Sequence, residues 1–197
     1  PCNVSTTKNG AGPPAGASLL QWNVSNMHVS AGREGDDNRR RPKLIALGVA
    51  IITQHPTFVV LSEVSGDIGQ WTDLHKWFTD HGYEASFLPG DSNIGSKKSA
   101  ALSTWRAVTP PRKRKESAPS LTGGVVLAWR RTQVVEIPHT RKVRANPGVL
   151  SIQFKILQDS SLVHVAACYG VYPLKTVRAL EELTFAENGS IAAGDLN

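Results

Sequence analysis

The residues of this chain best suited to chemistry sit where apolar runs end. Asn23 closes "LLQWN", Glu63 follows "TFVVLS", Tyr169 follows "VHVAAC", and Asp195 and Asn197 end "IAAGDLN". Short apolar runs of this kind read as buried strands. In open α/β sheets, ligands gather beyond the carboxyl ends of the strands. Asp195 and Asn197 are two positions apart, so in extended chain they face the same side. One can orient an attacking water while the other binds the same phosphate. Glu63 offers a hard oxygen, which suits Mg²⁺ or Mn²⁺ over a softer metal, and one carboxylate with amides and waters can hold Mg²⁺ beside a phosphate. Each residue has a plain structural use as well. Asn23 can satisfy a strand end, Glu63 can cap a loop, Tyr169 can fill a core, and Asp195 with Asn197 can make a turn.

Charge is the second chemical signal. The net charge of the 197-residue chain is +6, and it is unevenly spread. Between Ser92 and Lys115 lie Lys97, Lys98, Arg106, Arg112, Lys113, Arg114 and Lys115, with no acid among them. Such a block suits a polyanion, above all nucleic acid with DNA foremost, or a nuclear-import receptor; it also suits a solvated loop. An intracellular setting, with the nucleus as one option, is the expectation. Two cysteines, Cys2 and Cys168, argue against a disulfide framework and against a Cys-ligated zinc. No segment reaches the roughly 18 to 20 apolar residues that cross a bilayer.

These residues need elements to position them. Residues 1–17 are rich in Gly, Pro, Ser and Thr and read as a tail, leaving 18–197 as one domain with a basic loop over 89–120. Strands are expected at 19–24, 57–62, 83–89, 123–129 and 133–137, then a hairpin turning at Gln158-Asp159-Ser160, and a last strand at 191–195. A helix is expected from Pro42, with an apolar stripe of Leu44, Ile45, Leu47, Ile51 and Ile52, stopped before Pro56. A second places Ile68, Trp71, Leu74, Trp77 and Phe78 on one face and ends at Gly82. A third covers about 174–186. Strands without polar alternation imply sheets covered on both faces. The expected class is α/β (α+β), a two-layer β-sandwich flanked by helices.

The five stretches in series, "LLQWNV", "TFVVLSEV", "GGVVLAW", "VHVAACYGVYP" and "IAAGDLN", resemble the endonuclease/exonuclease/phosphatase (DNase I-like) superfamily from about residue 19 to 197. "YGVYP" and the short helix after it look most like retrotransposon-type members, and the chain as a whole like these or AP-endonuclease-like members. The resemblance implies a Mg²⁺- or Mn²⁺-dependent phosphodiester hydrolase, foremost a DNA endonuclease. It implies Glu63 as metal ligand with Asn23 beside it, Tyr169 on the phosphate, Asp195 orienting or deprotonating the water and Asn197 positioning it. Lys97, Lys98, Arg112, Lys113, Arg114 and Lys115 are expected to bind nucleic acid. Ser62 stands where the family usually has Gln. The family also carries a later Ser-Asp-His, and none of His28, His55, His75, His81, His139 and His164 stands at a matching position. By the resemblance the domain is therefore cut short at its C-terminus, and the chain on its own is expected to be weak or inactive. Two alternatives stand beside this reading: a non-catalytic nucleic-acid-binding fragment, and a phosphoinositide or lipid phosphodiesterase of the same fold.

Overall fold

Alternating apolar runs and turn residues build two sheets. A computed structural model describes residues 6–7, 17–28, 37–66, 68–89, 121–145, 148–170, 173–183 and 190–195. The elements are β1 (Thr6–Thr7), β2 (Leu19–His28), α1 (Asp37–Gln54), β3 (Phe58–Gly66), α2 (Ile68–Asp80), β4 (Tyr83–Leu88), β5 (Leu121–Arg130), β6 (Val134–Glu136), β7 (Lys142–Arg144), β8 (Gly148–Ile156), β9 (Leu162–Tyr169), α3 (Pro173–Leu183) and β10 (Ser190–Asp195). One sheet runs β2-β3-β5-β4. The other runs β1-β10-β9-β8-β6, with β7 also paired to β8. The pairs β2–β3 and β9–β10 are parallel, and the rest are antiparallel.

Side-chain alternation sorts the apolar residues into three layers. Phe58, Val60, Val125, Leu127, Trp129, Leu150, Ile152, Phe154, Val163, Val165, Ala167, Ile191 and Ala193 meet between the sheets. Val59, Leu61, Val126 and Ala128, on the opposite face of the first sheet, pack against Leu47 and Ile51 of α1 and Trp71, Leu74 and Phe78 of α2. Val149 and Cys168, on the outer face of the second sheet, meet Ala179 of α3. β3 is thus covered on both faces, as its unbroken apolar run requires. Fully burying one such side chain is worth about 1.5–3 kcal/mol, so the inter-sheet layer and the helix-side layer both hold the fold together.

Three sequence-based expectations change. Helix α1 starts at Asp37 rather than at Pro42, so Pro42 lies inside it. Only Leu47 and Ile51 of the expected stripe are fully buried; Ile45 and Ile52 face outward, 59% and 61% exposed. A short strand not expected from the sequence, β7, lies between β6 and β8, where Lys142, Val143 and Arg144 pair with Ser151, Leu150 and Val149 of β8. The basic segment, with Lys97, Lys98, Arg112, Lys113, Arg114 and Lys115, lies outside the described residues, as does Asn197. Among the described residues no helix is long and apolar enough to cross a membrane.

Candidate active site

The same alternation that builds the core delivers the polar residues. On β2, Leu20, Trp22 and Val24 belong to the helix-side layer. Gln21 and Asn23 therefore turn toward the other sheet, as Leu19 does. On β10, Asp195 follows Ile191 and Ala193 in the inter-sheet phase, and on β9 Tyr169 follows Val163, Val165 and Ala167. Asp195 and Tyr169 are register partners across the β10–β9 ladder. All four side chains reach one end of the inter-sheet core, where the apolar layer gives way to part-buried positions.

Glu63 would miss this end if β3 alternated without interruption. Phe58 and Val60 face the sister sheet, while Val59 and Leu61 face the helices. Continued alternation would send Glu63 toward the helices. Instead Val64 takes that side, so the phase slips by one residue at Glu63. The ladder shows why. Ser62 pairs with Val125 and Val64 with Gly124, which leaves Glu63 as the extra residue of a β-bulge. Its φ is +59°, a left-handed value uncommon for a residue with a Cβ. Bulges of this kind re-aim a side chain next to active sites. Gly124 makes room for it: a Cβ there would lie 2.8 Å from the Val64 carbonyl oxygen and 2.8 Å from the Trp71 ring.

The delivered groups bond to one another. The Asn23 amide nitrogen donates to the Asp195 carboxylate. The Gln21 amide donates to the Gly194 carbonyl at 3.3 Å. The Gly170 amide donates to the Asp195 carbonyl at 3.1 Å. The Tyr169 phenol is hydrogen-bonded to Glu63. Its pKa is raised first by burial, then by the Glu63 charge and that hydrogen bond, with a further contribution from Asp195. Tyr169 is thus held as a neutral phenol, a donor. Beneath them, burial pushes the Cys168 thiol up to about 12, and the nearby Asp195 carboxylate adds to the shift. Gly194 is required here, because a Cβ would sit 1.8 Å from the Cys168 carbonyl oxygen.

The arrangement unites Asn23, Glu63, Tyr169 and Asp195 from four strands. Four histidines are engaged elsewhere: His55 contacts Arg130, His75 bonds Glu84, His81 bonds the Trp77 carbonyl, and His164 is buried against Ser151. Gln21 was missed by the sequence analysis, although its place two residues before Asn23 on the same face was a usable signal. The donor set is all oxygen and amide, and two carboxylates flank one phenol. That chemistry fits a hard divalent cation. No group of three or more His, Cys, Asp or Glu gathers among the described residues. Such an ion would therefore rest on one or two carboxylates with water or substrate oxygens, the usual manner of Mg²⁺.

No protein-family model and no curated protein matches the sequence. Solved structures do match. The human Nocturnin catalytic domain, with bound sulfate, aligns over 98% of this chain and 67% of its own, at TM-score 0.60 and 13% identity. The fold is that of the endonuclease/exonuclease/phosphatase structures. An endonuclease/exonuclease/phosphatase family protein from Leptotrichia buccalis aligns over 89% of this chain and 66% of its own, at TM-score 0.52 and 14% identity. ANGEL2, a 2′,3′-cyclic phosphatase, aligns over 92% of this chain and 53% of its own, at TM-score 0.58 and 10% identity. The chain thus spans about two thirds of the first two structures and about half of the third. At these identities the likeness is one of fold, and it agrees with the sandwich expected from the sequence.

Proposed function

We propose that this chain is a metal-dependent phosphodiester hydrolase module acting on nucleic acid, DNA foremost. One observation carries the reading: the fold drives Asn23, Glu63, Tyr169 and Asp195 to a single end of the inter-sheet core, and does so through a strained bulge at Glu63. Strain of this kind persists where surrounding structure imposes it, and it clusters at active sites. Structures of the same fold hold ligands of matching chemistry. Nocturnin holds sulfate, zebrafish TDP2 a single-strand DNA product, and ANGEL2 adenosine-2′,3′-vanadate.

In this reading Asp195 accepts a proton from a water whose oxygen forms the new bond to phosphorus, while the bond to the leaving oxygen breaks. The leaving oxygen is protonated from solvent. Asn23 holds the Asp195 carboxylate in place. Tyr169, kept as a phenol, donates to a phosphate oxygen, and Asn197 positions the water. Glu63, with Asn23 near it, would hold Mg²⁺ or Mn²⁺, which supplies charge stabilisation for the phosphoryl oxygens. Lys97, Lys98, Arg112, Lys113, Arg114 and Lys115 supply the electrostatic grip on the polyanion. The "YGVYP" segment supports a retrotransposon-type endonuclease within this class.

The test is nicking of supercoiled plasmid by the chain in Mg²⁺, with EDTA and Glu63→Ala as controls. Cleavage abolished by both supports the reading, and cleavage indifferent to Glu63→Ala would refute it. The basic block supports a second reading, a nucleic-acid-binding module without chemistry. It predicts tight, steeply salt-dependent binding to intact DNA with no product. A parallel assay on phosphoinositide separates the same fold turned to a lipid phosphate.

A further inference from the structure

We propose that Gln21 is a positioning residue for Asp195, acting through the Gly194 carbonyl. The proposal rests on the reading of Asp195 as the group that handles the attacking water. Gln21 and Asn23 lie two apart on β2, turned to the same face, and donate to consecutive residues of β10: Gln21 to the Gly194 carbonyl and Asn23 to the Asp195 carboxylate. β2 and β10 belong to different sheets, so the two amides tie the sheets together at the site.

β1 pairs with β10 at Ala192 and Ile191, just before the site. Gln21 reaches β10 at Gly194, two residues further on and from the other sheet. The Gly194 carbonyl and the Asp195 nitrogen share one planar peptide. Fixing that oxygen therefore fixes the backbone from which the Asp195 side chain departs. The Gly170 amide holds the Asp195 carbonyl from the β9 side. Asp195 is thus gripped at the peptide before it, at its own carbonyl and at its carboxylate, and only the first of these grips comes from Gln21. Gln21 is half-buried, and a carboxamide drawn out of water is costly unless it bonds. Among the described residues its side-chain amide bonds the Gly194 carbonyl.

The experiment uses the full chain with Gln21→Leu, and Gln21→Met as a second variant that keeps the unbranched length but lacks the donor. Misplacement of a catalytic group by a fraction of an ångström to about 1 Å costs roughly tenfold to a hundredfold in rate. Plasmid nicking in Mg²⁺ should therefore show kcat reduced about tenfold or more, with KM within about twofold and the acid limb of the kcat–pH profile displaced. Independently of activity, the Gly170 amide should exchange with deuterium about tenfold faster in both variants, with the middle of β9 unchanged. A parent chain that cleaves nothing favours the binding-module reading, and the Gly170 exchange alone then decides the positioning role. Unchanged Gly170 exchange, or unchanged kcat and pH profile in an active parent, overturns the proposal. So does a rise in exchange along all of β9 and β10, which would make Gln21 a general structural tie.

Discussion

Strand β9 carries two polar side chains that serve opposite ends. Tyr169 turns toward the sister sheet and bonds Glu63; His164 turns toward α3 and lies 2.5 Å from the Ser151 hydroxyl. The Ser151 hydroxyl also reaches the Leu183 carbonyl at 3.4 Å. His164 and Ser151 are both 0% exposed. Here a serine and a histidine stand in contact, yet nothing can reach them. The cluster at Tyr169 is part-buried, draws on four strands, holds two carboxylates near one phenol, and includes a strained residue. A polar pair whose needs are met inside a dry layer specifies packing. Polar groups gathered where the layer opens, at a cost in backbone strain, point to chemistry. Residue types alone would have ranked the Ser–His pair too high.

The largest effect expected from breaking this contrast is at Asp195. Asp195→Asn keeps the shape and removes the proton acceptor. General acid–base groups contribute about 10²- to 10⁴-fold, so nicking should fall by that order while the thermal midpoint stays within a few degrees. His164→Gln should do the reverse, lowering the midpoint and sparing kcat at temperatures where the variant is folded. A variant of Asp195 that cleaves at parental rate would end the assignment of the polar cluster as the reactive one.

The next effect is a pH dependence confined to the buried pair. Burial first, and the Lys142 charge second, push the His164 pKa down to about 4. In the unfolded chain the same imidazole titrates near the ordinary value of about 6.5. Between these values the unfolded state binds the proton and the folded state does not. Stability from this group is therefore complete above about pH 6.5 and is lost as pH falls toward 4, by at most about 3 kcal/mol. Carboxylates titrate in the lower part of that window too, so the measurement is the difference between parent and His164→Gln in urea midpoints from pH 7.5 to 4. The difference should narrow as pH falls. A constant difference would mean that His164 is not held neutral.

The same contrast explains what was legible in the sequence. Asn23, Tyr169 and Asp195 were readable because strand alternation is strict and each sits at the end of an apolar run. The layered architecture followed from the unbroken apolar run of β3 and from the face shared by Trp71, Leu74 and Phe78. Glu63 was legible by type and place, but the bulge that aims it was not, since a one-residue slip is set by the partner strand and by Gly124. Gln21 escaped notice because it lies inside its apolar run and not at the end of it, although it shares a face with Asn23. The start of α1 was misplaced because Pro42 suits a first turn, which drew attention from Asp36-Asp37 upstream, residues of the type that begin helices.

The smallest expected effect tests the strain itself. Glu63→Ala and Glu63→Gly both remove the carboxylate and its bond to Tyr169, so both should abolish cleavage alike. They differ only in what the backbone asks at φ +59°. Alanine meets the left-handed conformation with a Cβ, at roughly 1–2 kcal/mol, while glycine adopts it freely. Glycine loses part of that advantage through the larger entropy of its unfolded chain, about 0.4–1 kcal/mol. Glu63→Gly is therefore expected to be the more stable of the two variants by roughly 1 kcal/mol, read from urea midpoints at pH 7.5. The order would invert if β3 were regular there, because in a strand glycine is the poorer residue. Equal inactivity with glycine the more stable would show that the backbone at this position is shaped for aiming a carboxylate and not for holding the sheet together.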